Sequence, residues 1–94
     1  MKLTGKLKQD FGNQCVYQYD EFIKLPQSFQ NALIIEYLDS VGIYIDSGYY
    51  DKNTFCSGIN RKKDIFISVG TSFKTRTEAI NAAIEKANEI INKI

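Results

Sequence analysis

Histidine is absent from the 94 residues. With it go the commonest general acid–base group and the commonest side-chain metal ligand near neutral pH. No Ser–His or Cys–His nucleophile pair can be assembled. Cysteine is scarce, and Cys15 and Cys56 form neither a disulfide framework nor a zinc site; both are expected as reduced thiols. No phosphate-binding Gly-rich loop, Gly-x-Gly-x-x-Gly or Cys-x-x-Cys occurs. These absences point to a protein that is not an enzyme and carries no cofactor and no metal. Proline occurs once, as Pro26, and no linker, repeat or low-complexity tract breaks the chain, so residues 1–94 are expected to form a single domain. No apolar run approaches the ~18 residues of a membrane-spanning helix. No apolar run of about 7–15 residues follows Lys2 as it would in a secretory leader. The expected location is the cytoplasm, without membrane contact.

Charge of either sign is in little excess: 12 basic against 11 acidic side chains, a net +1. That balance creates no overall field to draw in nucleic acid or an anionic membrane. Hydrophobic residues make up 44% of the chain, enough for one modest core rather than a disordered segment.

The pattern of those residues suggests an α+β domain. Leu3, Leu7 and Phe11 recur every four positions behind a possible cap at Thr4, with Gly12-Asn13 as a suitable stop. Residues 14–24 read either way: Cys15, Tyr17 and Tyr19 alternate like a strand, whereas Val16, Tyr19 and Ile23 suit a helix. Pro26 fits the first position of a second helix, with Phe29, Leu33, Tyr37 and Val41 along one side, Ile34 and Leu38 beside them, and Gly42 as terminator. Ile43 and Ile45 alternate with Tyr44 and Asp46 in a first strand, and Asp51-Lys52-Asn53 is turn chemistry. Residues 54–60 form a weaker second strand with Phe55 and Ile59 on one face. Arg61–Asp64 connects it to a third strand carrying Ile65, Ile67 and Val69. Thr75 and Glu78 have the spacing of a capping box, and Ile80, Ala83, Ile84, Ala87, Ile91 and Ile94 mark the buried face of a final helix. The expected fold is a three-stranded antiparallel β-meander with helices packed on one face, in the order α-α-β-β-β-α.

Three groups of residues are candidates for function. Tyr44, Tyr49 and Tyr50, with Phe66, are the candidate partner-binding patch, because tyrosine offers a large contact area at low entropy cost; tyrosine also simply favours strands. Arg61, Lys62 and Lys63, with Lys74 and Arg76 at the start of the last helix, are the candidate phosphate or nucleic-acid contacts; the alternative is a solvated turn. Asp39, Asp46, Asp51 and Asp64 lie near turns and helix ends, where turn and cap chemistry competes with a hard-cation site.

The stretches Leu3-Thr4-Gly5-Lys6, Asp10-Phe11, Leu25-Pro26 with Ser28 and Gln30, and Asp39-Ser40-Val41-Gly42-Ile43 occur in order along the chain. Thr75-Arg76 with Glu78-Ala79, Ala83-Ile84, Lys86-Ala87-Asn88-Glu89-Ile90 and Asn92 follow. In these the chain resembles a family of small proteins of unknown activity encoded in phage and prophage genomes of gut bacteria. The family's first helix tends to be longer and richer in aromatics, and Gly12-Asn13 departs from that. The resemblance implies an origin and a bacterial host cell, not a mechanism. Helix, three strands, helix is also the order of a double-stranded-RNA-binding domain, and the alanine-rich last helix is similar to its C-terminal helix. Here Arg76-Thr77 stands where that module has paired lysines, and the first strand–strand loop lacks Gly-Pro-x-His. The expected function is therefore a non-catalytic protein-interaction module that binds a host factor or itself, possible homodimerisation included. The alternative is a weak nucleic-acid binder.

Overall fold

The computed structural model describes residues 3–15, 17–61 and 65–93. The expectations placed on Val16, Lys62, Lys63, Asp64 and Ile94 lie outside these residues. The elements are α1 (Gly5–Gln14), a single-turn α2 (Tyr19–Phe22), α3 (Gln27–Ser40), β1 (Ile43–Asp51), β2 (Thr54–Arg61), β3 (Ile65–Phe73) and α4 (Arg76–Asn92). The strands form one antiparallel sheet in the order β1-β2-β3. Helix α4 lies across all three strands, α3 flanks β1 and α4, and α1 packs on α4 and α3.

The core lies between the sheet and the helices. Ile45, Ile59 and Ile67 are paired in register across the three strands, so one row of isoleucines faces the helical layer. Above it α4 presents Ala79, Ala83, Ile84 and Ala87, all fully buried. The alanines have no side chain to hold the helix axis away from the sheet, which lets α4 settle close to it. Leu7, Ile34 and Leu38 complete the core without measurable exposure beyond 1%.

Gly12-Asn13 does not stop α1, which continues to Gln14 before Cys15 turns extended. Both residues are solvent-exposed, so glycine's helix penalty of about 1 kcal/mol acts without a packing defect. Burial of Phe11, whose ring meets Phe22 edge-on at 5.1 Å and Tyr37 at 5.7 Å, holds the last turn in place. Of the undecided segment, Gln14 closes α1, Tyr17 lies in a bend and Tyr19–Phe22 form α2.

On α3 the buried stripe is shifted by one residue from the apolar stripe. Phe29 and Val41 are 46% and 48% exposed, while Gln30 and Asn31 are buried beside Ile34 and Leu38. The amides earn that place by hydrogen bonding. Gln30 Nε2 donates to Leu25 O at 2.7 Å and to Ile23 O at 3.2 Å, tying down the loop after α2. Gln27 Nε2 donates to Asn31 Oδ1, and Asn31 Nδ2 to Asn81 Oδ1, each at 2.8 Å. That chain of amides joins α3 to α4. Gly42, at φ +83°, then ends the helix in the left-handed conformation that suits glycine.

The N-terminus of α1 is capped from the far end of the chain. Thr4 makes no cap to its own helix. Instead Thr4 N donates to Asn88 Oδ1 at 3.2 Å and Leu7 N to Asn92 Oδ1 at 3.4 Å. The Thr4 hydroxyl accepts from Asn88 Nδ2 at 2.9 Å and from Asn92 Nδ2 at 3.1 Å. Two free helix N–H groups are thereby satisfied by α4 side chains.

Two buried hydroxyl oxygens, Thr54 Oγ1 and Ser57 Oγ, are left without a hydrogen-bond partner among the described residues. Ser57 is 4% exposed. A buried donor without a partner costs roughly 1–3 kcal/mol. Ser57→Ala is expected to raise the unfolding free energy by about 1 kcal/mol, read as a higher urea midpoint at unchanged slope. A lower midpoint would show that the hydroxyl is satisfied in solution.

Candidate functional site

Helices cover one face of the sheet; on the other face the alternation of β1, β2 and β3 sets up a second surface. Its rows follow from the register: Tyr44, Asn60 and Phe66 stand side by side, then Asp46, Gly58 and Ser68, then Gly48 and Cys56. Tyr44 is 46% exposed and Phe66 60%. The middle column is small, so the face is hollow at its centre. A cavity of about 420 Å³ opens there, floored by Gly48, Cys56 and Gly58 and bounded by Tyr50 and Phe66.

Gly58 is what lets Phe66 lie across the sheet. A Cβ at Gly58 would collide with the Phe66 ring and press tightly on Ile67 O at 3.1 Å. The ring therefore rests directly on backbone. Asp46 is the only charged side chain among the residues named on this face, and its Oδ2 accepts a hydrogen bond from Asn60 Nδ2.

The four expected patch residues are not one cluster. Tyr44, Tyr50 and Phe66 share the open face. Tyr49 is separated from them because neighbouring residues on a strand point to opposite sides. Its ring stacks on Phe55 at 5.3 Å, its hydroxyl donates to Lys52 O at 2.6 Å, and Arg76 of α4 covers the same Phe55 ring at 5.8 Å. Tyr49 thus belongs to the helical side of the sheet, at the end near the β1–β2 turn.

The basic residues are also divided. Arg61 pairs with Ile65 at one end of β3, whereas Lys74 and Arg76 follow Phe73 at the other. Nine residues of strand separate those ends by roughly 27 Å at ~3.3 Å per residue. Lys62 and Lys63 lie outside the described residues. The N-terminus of α4 is already occupied: Glu78 N donates to Thr75 Oγ1 at 3.1 Å, and Glu78 Oε2 accepts from Lys74 N at 3.2 Å. A carboxylate at that position opposes a phosphate, and Arg76 is engaged with Phe55.

Of the scattered aspartates, Asp51 performs turn chemistry, its Oδ1 accepting from Lys52 N at 2.6 Å. Among the described residues no three potential metal ligands come together. Cys15 and Cys56 are both free and half-buried, on different sides of the molecule.

A smaller cavity of about 220 Å³ lies between α1 and α3, against Phe11, Cys15, Leu33 and Tyr37. Burial, and secondarily the Asp10 carboxylate, push the Tyr37 hydroxyl above the ordinary tyrosine range. Its proton is held more tightly in the folded chain, so its contribution to stability is intact below about pH 10 and is lost as pH rises through the raised value. Tyr37→Phe is expected to flatten part of the alkaline loss of stability, checked by urea titrations between about pH 8 and 11. Identical pH profiles would refute this.

The signal that sequence reasoning missed is the Gly48–Cys56–Gly58 floor: small residues in a strand read as weak pairing, and only the register aligns them into a groove. No helix among the described residues is long and apolar enough to cross a membrane. Comparison of the chain with protein-family models, with curated proteins and with solved structures finds no match.

Proposed function

We propose that this chain is a non-catalytic protein-interaction module, of the small phage- and prophage-type proteins it resembles, and that the helix-free face of its sheet is the docking surface. The observation that carries the reading is the exposure of Tyr44, Tyr50 and Phe66 on one face, with Tyr50 and Phe66 bordering a hollow centre. A folded domain gains nothing from leaving such rings in water, whereas a partner that covers them gains their apolar area. The near absence of charge on the face favours a protein surface over a nucleic acid, whose affinity rests on phosphate neutralisation.

The test is capture from bacterial extract with tagged wild-type protein and with Phe66→Asp, each with and without nuclease. A protein held in stoichiometric amount by wild type, resistant to nuclease and lost in the variant is the expected result. Enrichment that vanishes with nuclease would favour nucleic-acid binding through Arg61, Lys62, Lys63, Lys74 and Arg76. Retention by Phe66→Asp would place the contact elsewhere on the molecule.

A further inference from the structure

Helices α1 and α3 end at the same place. Phe11, Gln14 and Cys15, from the last turn of α1 and its cap, line one cleft of about 220 Å³ together with Glu36, Tyr37 and Ser40 from the last turn of α3. A helix C-terminus is the negative end of the macrodipole, and its last carbonyls have no partner within the helix. A lysine or arginine in the last turn would offset that charge, but neither helix has a basic residue there. Helix α3 carries Glu36 and Asp39 and no basic residue over its whole length. Among the described residues lining the cleft, Glu36 is the one that is charged. Asp10 stands near as well: after burial, its carboxylate is the second cause that raises the Tyr37 hydroxyl.

The walls are apolar. Phe11 and Tyr37 meet edge-on at 5.7 Å, and the partly buried Leu33 closes the side. An aromatic ring face attracts a cation placed within ~6 Å of it. We propose that this cleft is a binding site for a small organic cation, a primary ammonium on an aromatic or apolar stem. The stem lies against Phe11, Leu33 and Tyr37, and the ammonium turns to Glu36 and the two helix ends. Its N–H donors are shared between the carboxylate and the acceptors of the last turn of α3. Ser40 Oγ is one of these, since its own proton goes to Tyr37 O at 2.6 Å. A bare metal ion fits less well, because no three potential metal ligands come together among the described residues. An anion meets the same field with the wrong sign.

Size sets the length of the stem. A cavity of ~150 Å³ holds benzene, so this one admits roughly nine non-hydrogen atoms in proportion, the size of phenethylammonium. So few atoms bind with about millimolar strength. The cleft lies on the helical side of the molecule, and its occupancy does not depend on what the open sheet face binds.

The test is a titration of isotope-labelled protein, followed by amide NMR near neutral pH, with phenethylammonium, phenethyl alcohol and phenylacetate. The three share one shape and differ in charge. Shifts centred on the last turns of α1 and α3 are expected, with the ammonium bound roughly tenfold tighter than the alcohol and the carboxylate weakest. Glu36 is exposed, so its variants are expected to keep the fold, which the amide spectrum itself verifies. Glu36→Gln should lower the advantage of the ammonium to about threefold and leave the alcohol unchanged; Glu36→Lys should remove that advantage. Phe66→Asp should bind all three as wild type does. Equal affinity for ammonium and alcohol, or a preference for the ammonium that survives Glu36→Lys, refutes the cation site. Absence of shifts in both turns at about 20 mM of each ligand, or shifts centred elsewhere, refutes the cleft as a site. Each of these failures leaves the reading of the open sheet face standing, because capture through that face is lost with Phe66 and not with Glu36.

Discussion

Replacing Gly5 by alanine is expected to lower the unfolding free energy by about 2–3 kcal/mol, a large share of the roughly 5–10 kcal/mol a domain of this size holds. Two effects combine. Gly5 has φ +59°, where a residue with a Cβ costs about 1–2 kcal/mol. A Cβ there would also stand 2.7 Å from Asn92 Oδ1. The Asn92 side chain is exposed and can swing away, but it then releases Leu7 N and the Thr4 hydroxyl and leaves the α1 N-terminus partly uncapped, worth about 1 kcal/mol. Asn92→Ala alone is expected to cost only that second part. In the double variant the clash is gone, so the two losses should add to less than their sum, by about 1 kcal/mol. Urea unfolding of the four proteins tests the cycle; strict additivity would mean that Gly5 acts through backbone strain alone.

The second large effect contrasts the two faces of the sheet. Ile59 is completely buried at the centre of the middle strand, whereas Phe66 is 60% exposed on the other side of the same sheet. Ile59→Ala is expected to cost about 3–4 kcal/mol, since removing a core side chain forfeits both its transfer energy and the contacts around the cavity left behind. Phe66→Ala should cost less than about 1 kcal/mol, the scale of one cross-strand pair. Midpoints of urea unfolding at constant slope measure both. Comparable losses would mean that Phe66 supports the fold, and would weaken the case that its exposure serves a partner.

Thr4, Gly5, Asn88 and Asn92 meet in the cap of α1 and so join the two ends of the chain. Gln30 anchors the loop after α2.

Much of the fold was legible without coordinates. Period-two alternation of Ile43, Ile45, Ile65 and Ile67, the turn at Asp51–Asn53, the terminator Gly42 and the Thr75–Glu78 cap are local signals, each written within a few residues. They sufficed for the α+β class, the meander and the helices on one face. What depends on neighbours distant in the chain was not legible. The Thr4 cap required residues 84 and 88 positions away. The burial of Gln30 and Asn31 depended on carbonyls and amides brought by other elements, so hydrophobicity alone placed the stripe of α3 one residue off. The tyrosine patch lost Tyr49 and the basic group was split between opposite ends of the sheet, because strand pleat and strand length, not proximity in sequence, decide which side chains share a surface. Local propensity and periodicity determined the elements; only the register and packing of those elements decided the open face that Tyr44, Tyr50 and Phe66 share, with Tyr50 and Phe66 beside a floor of glycine and cysteine.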